Sequence, residues 1–304
     1  MSRRAALLLA VLGVACREAP APPLPEPGLP LEVPLRPLPE GGLALSVGIS
    51  GEPHDLLLDV GAGLTLLTPE RAERLGCRPW GRLLLFDATG EQRALERCGE
   101  LSLSLGPLPL SAPAAVLDRA PPALEASGLG GVASLQTLGA HAVTLELGGH
   151  RLVVESRTSL LERVGAMRPV EARIGREAGG VAARLFLAVG TSRGPLWMLA
   201  AGRPGDRVAI APHALELLGL APDTAPGSQV EVSLDLPGLG RLDRPAVVSA
   251  GPYDGVLDAA TLAQLVLSVD LRDGRVWARR ASPPPAPPVG RARGSGTRAP
   301  MLGL

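Results

Sequence analysis

The sequence predicts an all-β protein made of two homologous lobes. Short alternating or apolar runs, typical of strands, recur along the middle of the chain and are separated by Gly, Pro and Asp. Three segments of the first half recur in the same order in the second half. Clear helix signals, with Pro at the start and Gly at the end, follow Thr68 and Ala211. We therefore expect one short helix in each lobe.

Composition narrows the class of protein. The 304 residues are 46% hydrophobic and 20% charged, with a formal net charge of zero. This length can bury one large or two medium cores. Charge is balanced and no basic run is interleaved with aromatic residues, so we expect no nucleic-acid partner. The four histidines are scattered, without clustered acids or thiols, and we expect neither a metal site nor a cofactor.

Residues 1–16, MSRRAALLLAVLGVAC, have the pattern of an export signal: a basic start, an apolar segment and small residues. The apolar part is too short to span a bilayer as a helix. Its end, Gly-Val-Ala-Cys, resembles a bacterial lipoprotein cleavage box in which Cys16 becomes the lipidated first residue. Gly13 stands where that box prefers a branched aliphatic residue, so simple secretion is the alternative. We expect an exported protein, at the membrane surface or in the periplasm, attached only through lipid on Cys16.

The segments that flank the lobes are rich in proline. Residues 17–40 contain so many prolines that we expect a semi-extended tether without a ladder or a helix, and residues 281–304 read as a disordered tail. Three cysteines leave an odd one over in an exported protein. Assigning Cys16 to lipid leaves Cys77 and Cys98, which we expect to form a disulfide rather than two free thiols in an oxidising compartment.

The duplication defines the two lobes as residues 41–155 and 168–280. Its longest segment aligns without a gap, and another aligns if one residue is dropped near Pro195. The paired segments are Leu43–Gly61 with Leu185–Gly202, Leu66–Cys77 with Ala209–Leu220, and Gly131–Val154 with Gly255–Ala278.

Asp59 is the acid that this pattern singles out. It follows the apolar run Leu56–Leu58 and directly precedes the turn Val60–Gly63. Burying a carboxylate is costly unless hydrogen bonds satisfy it. Asp59 is therefore either a structural acid capped by turn amides or a residue positioned for chemistry, and the sequence leaves both interpretations open.

Taken together, these motifs resemble the aspartic peptidases of the retropepsin and pepsin type, including bacterial aspartyl peptidase lipoproteins. The resemblance rests on a strand ending in Asp59-Val60-Gly61-Ala62, a helix ending at Leu75-Gly76, a hairpin, and a closing motif that starts at Gly131 and recurs at Gly255. It covers nearly all of residues 41–280. It implies a bilobal, pepsin-like fold with two retropepsin-like β-barrel lobes.

The resemblance also implies a chemistry. In that family each lobe brings one Asp to a central dyad that shares a proton and holds the attacking water. Asp59 falls on the first catalytic Asp, Gly61 on the turn glycine, and Val60 where a Thr or Ser hydroxyl ties the lobes together. The duplication places Ala200-Ala201-Gly202 on this triplet. Another register, through Leu187–Gly190, also puts alanine on the acid, so the second Asp is predicted to be absent.

The closing motif and the flap depart from the family too. The family's glycine in the closing motif is replaced by Ser134 and Asp258, and Asp258 is the one candidate for a substitute acid. The flap that covers the substrate is expected at Leu83–Leu95, bracketed by Cys77 and Cys98. It lacks the Tyr of pepsins and has as its tip Asp87, Ala88, Thr89 and Gly90.

Two function classes follow from the resemblance. One is a peptidase-fold pseudoenzyme that binds an extended peptide, an unfolded protein segment or a protein partner in the cleft between the lobes. The alternative is an active aspartyl endopeptidase, a hydrolase that uses Asp59 with a non-standard second acid such as Asp258. The missing second acid favours the first class. One chain supplies both lobes, so we expect a monomer.

Overall fold

The computed structural model describes residues 28–39, 41–87, 90–202 and 207–282. Within these ranges three sheets form two lobes and a platform that joins them. The predicted signal segment with Cys16, the first part of the tether and nearly all of the C-terminal tail lie outside the described residues.

Lobe one contains an eight-stranded sheet in the order β2-β3-β4-β9-β5-β8-β7-β6, and an extra pairing between β3 and β7 closes it into a barrel. Its strands are β2 Arg36–Pro37, β3 Leu43–Ile49, β4 Glu52–Leu58, β5 Thr65–Leu67, β6 Arg82–Phe86, β7 Gln92–Leu105, β8 Leu108–Val116 and β9 Gly131–Ala133.

Lobe two repeats this plan with a seven-stranded sheet in the order β13-β14-β15-β19-β16-β18-β17, which an extra β14–β17 pairing closes. Its strands are β13 Ala172–Glu177, β14 Ala182–Thr191, β15 Gly194–Ala200, β16 Val208–Ile210, β17 Gln229–Leu236, β18 Gly240–Val248 and β19 Gly255–Leu257.

The third sheet has six strands in the order β1-β11-β10-β20-β21-β12 and takes strands from both halves of the chain. At its centre β10 and β20 pair antiparallel. The largest hydrophobic core runs from this sheet into both lobes and includes the buried residues Leu45, Leu145, Met198 and Leu267. The strands of this sheet are β1 Leu31–Pro34, β10 Ala142–Glu146, β11 Arg151–Glu155, β12 Arg168–Pro169, β20 Leu265–Asp270 and β21 Arg275–Arg280.

The helices are short. The α-helices are α1 Pro69–Arg74, α2 Pro122–Ala126, α3 Arg157–Val164 and α4 Ala259–Leu262. The 3-10 turns are Leu135–Leu138, Leu147–Gly149, Ala178–Gly180, Pro212–Ala214 and Glu216–Leu218. In the part of the chain that the structure describes, no helix is long and apolar enough to cross a membrane.

The helix predicted after Ala211 is wrong in type. The helix after Thr68 forms because the Thr68 hydroxyl accepts the Arg71 N–H and caps the first turn. The equivalent position in lobe two is Ala211, which has no side-chain acceptor. Residues 212–218 form two separate 3-10 turns instead.

The tether prediction is also corrected. Leu31–Pro34 pairs antiparallel with β11, and Arg36–Pro37 pairs with β3. Both β1 and β2 are edge strands, which pair with a neighbour on one side only. A proline lacks an N–H, and an edge strand tolerates this because its other side needs no partner. Val33 and Leu35 are buried in the core, so the apolar residues between the prolines decide the structure of this segment.

A disulfide joins Cys77 and Cys98, which are 21 residues apart. Cys77 lies just after α1, and Cys98 lies in β7 at the base of the predicted flap. Closing a loop of about twenty residues stabilises a fold by roughly 3 kcal/mol on the chain-entropy model. The bond therefore braces the flap against the body of lobe one.

Candidate functional site

The ladders around the two central turns fix which residue of lobe two corresponds to Asp59. Leu57 pairs with Val132, and Leu199 pairs with Val256, the equivalent position in the duplication. The N–H groups two residues further along each strand give the same correspondence. Asp59 N–H donates to the Ala133 carbonyl at 2.9 Å, and Ala201 N–H donates to the carbonyl of Leu257, the equivalent of Ala133, at 3.0 Å. Ala201 is therefore the counterpart of Asp59.

This assignment corrects the predicted alignment by one residue. The hairpins β3–β4 and β14–β15 have loops of equal length, since Ile49 pairs with Glu52 and Thr191 pairs with Gly194. No residue is dropped near Pro195, and Ala200 corresponds to Leu58 rather than to Asp59. The chemical outcome is unchanged, because an alanine still occupies the acid's position.

The Asp59 carboxylate is held by amides from both lobes. Its Oδ1 accepts the Gly61 N–H at 2.9 Å and the Gly202 N–H of lobe two at 3.2 Å. The residue is 3% exposed. The turn is closed by the Ala62 N–H, which donates to the Asp59 carbonyl at 3.2 Å. Hydrogen bonds to the ionised form are what a buried carboxylate requires, so these contacts favour the structural interpretation of Asp59.

The Asp59 turn and the Ala201 turn pack so closely against each other that no side chain fits at Gly61. A Cβ atom added at Gly61 would lie 2.9 Å from the Ala200 carbonyl oxygen and 3.2 Å from the Ala201 Cα. Val60, where the family has a hydroxyl, is buried in the hydrophobic core. Apolar packing and the Asp59–Gly202 hydrogen bond thus join the lobes at this point.

The closing glycines lie where their motif predicts. Gly131 starts β9, which lies between β4 and β5, and Gly255 starts β19, which lies between β15 and β16. A Cβ atom on Gly255 would lie 2.5 Å from the Ala209 carbonyl oxygen, and one on Gly131 would overlap the Leu66 carbonyl. Both positions therefore require glycine for steric reasons.

Asp258 does not have the geometry of a substitute acid. Its Oδ1 accepts the Thr261 N–H at 2.8 Å and caps α4. Its Oδ2 forms a 3.1 Å ion pair with Arg244. Ser134 caps the equivalent turn of lobe one, which explains why a capping residue replaces the family's glycine at both positions.

A cavity of about 730 Å³ opens beside Asp59, mainly on the side of lobe one. Its walls come from β4, the flap, α2 and the end of β15. Most of the lining is apolar, with Asp59 and Arg184 as its buried charged residues. Asp258 is not part of the lining. A concave, mainly apolar site with a few convergent polar groups is typical of ligand-binding pockets.

The flap is a hairpin that reaches across to lobe two. Strands β6 and β7 pair from Arg82 with Glu96 to Phe86 with Gln92. Of the tip residues, Asp87 and Gly90 are described, whereas Ala88 and Thr89 lie outside the described residues. A Cβ added at Gly90 would lie 3.0 Å from the Pro252 ring of lobe two. The flap therefore closes over the cavity.

Sequence reasoning missed Arg184 and Tyr253. Arg184 Nη1 donates to the Tyr253 hydroxyl at 2.8 Å, and Arg184 Nη2 donates to the Phe86 carbonyl of the flap. Burial is the main cause that raises the pKa of Tyr253, against the opposing charge of Arg184. The one signal in the sequence was an arginine directly before the apolar run Leu185–Val189.

In the ranges that the structure describes, no group of three or more His, Cys, Asp or Glu side chains is placed to hold a metal ion. Among the described residues, the buried charged groups of the site are a carboxylate held by amides and a guanidinium held by oxygen acceptors. This arrangement can bind a ligand, whereas Ala201, the counterpart of Asp59, cannot supply the second acid that a carboxylate dyad requires.

Comparison with known proteins supports the fold. No family model and no curated protein matches the sequence. The structure is similar to that of conglutin gamma, a basic 7S globulin from lupine seeds, with a TM-score of 0.51, 12% identity, and 82% of this chain and 94% of that chain covered. Basic 7S globulin from soybean gives a TM-score of 0.48 at 11% identity, covering 81% of this chain and 94% of that chain.

The likeness to conglutin gamma, at 12% identity, concerns the fold alone. The predicted all-β class and the pepsin-like arrangement of two barrel lobes are confirmed. Activity has to be argued from the site of this chain.

The packing of the turns predicts a cost for Gly61→Ala. The added methyl group meets the backbone of Ala200 and Ala201, so we expect a loss of roughly 1–3 kcal/mol in the free energy of unfolding. Urea titration followed by circular dichroism measures it. The matched control is Gly149→Ala, where the nearest atoms lie 3.7 Å from the new Cβ. Equal stability of the two variants would contradict the close contact between the turns.

Proposed function

We propose that this chain is an exported pseudoenzyme of the pepsin-like fold that binds an extended peptide or an unfolded protein segment without cleaving it. The single observation that carries the proposal is Ala201, which occupies the position of the second catalytic acid opposite Asp59. Within this fold, the Asp59-Val60-Gly61-Ala62 turn and the N-terminal segment fit a bacterial aspartyl peptidase lipoprotein that has lost catalysis.

The chemistry supports loss of cleavage. Peptide hydrolysis by a carboxylate pair needs one group to accept the proton of water while its neighbour donates a proton to the carbonyl oxygen. Ala201 can do neither. Asp258 is engaged by Thr261 and Arg244, so its contacts do not favour the alternative of an active endopeptidase that uses Asp258.

The cavity supports retained binding. Its apolar walls and its position beneath the flap suit side chains of an extended chain, and burial of apolar surface is the main favourable contribution to such binding. We therefore keep peptide as the ligand class.

We expect no cleavage of unfolded casein by the purified protein at any pH from about 3 to 8, roughly the range over which carboxylate dyads work. Fluorescence release from labelled casein measures it, with Asp59→Asn as the control. Cleavage that disappears in Asp59→Asn would overturn the proposal, and its additional loss in Asp258→Asn would identify the second acid.

A gain-of-function variant tests the same reasoning from the other side. Ala201→Asp restores the acid, and Val60→Thr with Gly202→Thr restores the hydroxyls at equivalent positions. Slow casein cleavage by this triple variant would show that the missing acid silenced the site. A folded triple variant without any cleavage would show that other parts of the site have diverged as well.

Binding is tested by filling the cavity. Ala123 of α2 lines it, whereas Ala126 of the same helix is exposed and does not. We expect Ala123→Trp to weaken binding of fluorescein-labelled, denatured casein at least about tenfold, since the indole occupies the space of a ligand side chain, and Ala126→Trp to leave it unchanged. Fluorescence anisotropy gives both affinities. Equal affinity of the two variants would place the ligand elsewhere.

Export through lipidation is a separate part of the proposal. We expect the cell to cleave the chain before Cys16 and attach lipid to this residue. Metabolic labelling with an alkyne fatty acid should label the wild-type protein and not Cys16→Ser. Mature protein recovered in soluble form with an unmodified Cys16 would rule out the anchor and favour simple secretion.

A further inference from the structure

Arg184 belongs to lobe two, but its guanidinium contacts lobe one. The side chain starts from β14 and is 6% exposed. Its Nη2 donates to the Phe86 carbonyl at the end of β6, and its Nη1 donates to the Tyr253 hydroxyl. Its Nε lies 3.4 Å from Glu177 Oε1. A charged group of lobe two thus holds a backbone group of the flap.

The Phe86 carbonyl is directed away from the flap hairpin. In antiparallel pairing, hydrogen-bonded pairs alternate with pairs whose backbone groups point outward. Asp87 N–H donates to the Glu91 carbonyl, and Arg97 N–H donates to the Gly81 carbonyl. The backbone groups of Phe86 consequently face the open edge, because β6 is the last strand of its sheet. Arg184 supplies the donor that a neighbouring strand would otherwise provide.

Other contacts hold the flap at its base and at its tip. Ala182, two residues before Arg184, packs in one buried cluster with Leu83, Leu85 and Leu95 of the flap strands. Ala183 N–H donates to the Gly63 carbonyl at 2.8 Å. At the tip, Gly90 lies against Pro252. Among the described residues, lobe two therefore contacts the flap at its strands, at the Phe86 carbonyl and at Gly90.

The Arg184–Glu177 pair is not fully satisfied. Among the described residues, neither Arg184 Nε nor Glu177 Oε2 has a hydrogen-bond partner, and both atoms are buried. Replacing both members of a buried ion pair by apolar residues is often tolerated, whereas removing one member alone leaves the other unpaired at a cost in stability. The incomplete pairing of this guanidinium, together with its hydrogen bond to the Phe86 carbonyl, points to a role in positioning the flap.

We propose that Arg184 is a positioning residue that latches the flap to lobe two and controls access to the cavity. The latch comprises Arg184, Glu177, Tyr253 and the Phe86 carbonyl. A ligand enters or leaves the cavity when Arg184 releases that carbonyl and the hairpin lifts. Access to a ligand rests on the proposed binding function, whereas the latch itself is a property of the unliganded protein.

Hydrogen exchange of the unliganded, full-length protein tests the latch. Loss of a charged hydrogen bond should make flap amides in Leu83–Leu95 of Arg184→Met exchange roughly tenfold faster or more. Amides of β17 and β18 should keep their wild-type rates. The matched control is Arg173→Met, which removes another lobe-two guanidinium, stacked on Trp197 at 3.7 Å, and should leave the flap unchanged.

Unchanged flap exchange in Arg184→Met would overturn the latch, and so would equal acceleration in Arg173→Met. If Arg184→Met exchanges faster throughout the protein, Tyr253→Phe decides, because it removes only the hydroxyl that holds Nη1. We expect faster flap exchange by about threefold in that variant, with β17 and β18 unchanged. Wild-type flap exchange in Tyr253→Phe would then refute the proposal.

The outcome does not depend on whether casein binds, because the exchange experiment contains no ligand. If labelled casein does bind, stopped-flow anisotropy adds a second measure. Arg184→Met should raise its association and dissociation rates together, with less change in Kd than in either rate. A change in Kd at unaltered association rate would show that Arg184 contacts the ligand instead of gating it.

Discussion

The pairing of β10 with β20 determines where the rest of the molecule lies. Thr144 and Ser268 stand opposite each other in this pair, with their hydroxyl oxygens 2.7 Å apart. They are also equivalent positions of the duplication, counted from Gly131 and Gly255. Because equivalent residues meet here, an approximate twofold axis passes through this point, and the same symmetry brings the Asp59 turn against the Ala201 turn. The fold thus brings two equivalent positions together, although Ala201 at one of them has no carboxylate.

This constraint explains how the two lobes stay together although an alanine stands at the position equivalent to Asp59. Asp59 accepts an N–H from its own turn and another from Gly202 of lobe two, so its charge now joins the lobes through charge-assisted hydrogen bonds. The buried Val60 adds apolar contact where a hydroxyl network would have been. An acid opposite Asp59 would have to share a proton with it, because two carboxylates at that distance cannot both be ionised. Ala201 supplies neither that proton nor that repulsion.

The features that the sequence predicted correctly are those fixed by local pattern. The helix after Thr68 depends on a cap and a proline, and the hairpin of the flap depends on alternation and turn residues. The features that it missed depend on distant partners. Val33 and Leu35 are buried because β1 adds to the sheet edge at β11 and β2 adds to the sheet edge at β3. The one-residue error at Ala200 arose because Leu-rich strands resemble each other in several registers, and only the ladders select one. Arg184 meets Phe86 across 98 positions of sequence, which no short window contains.

On the proposed function, Ala201 and the latch act in the same direction, toward binding without cleavage. An enzyme must admit substrate and release product in every turnover, and in many enzymes opening of a flap or lid limits the rate. A binding protein gains from slow opening, because slow dissociation lengthens the lifetime of the complex. Lobe two contacts the flap at Ala182, Arg184 and Pro252, and on the proposed function these contacts slow the release of a bound peptide. The second lobe then serves the cavity of the first by holding the flap over it rather than by supplying a carboxylate.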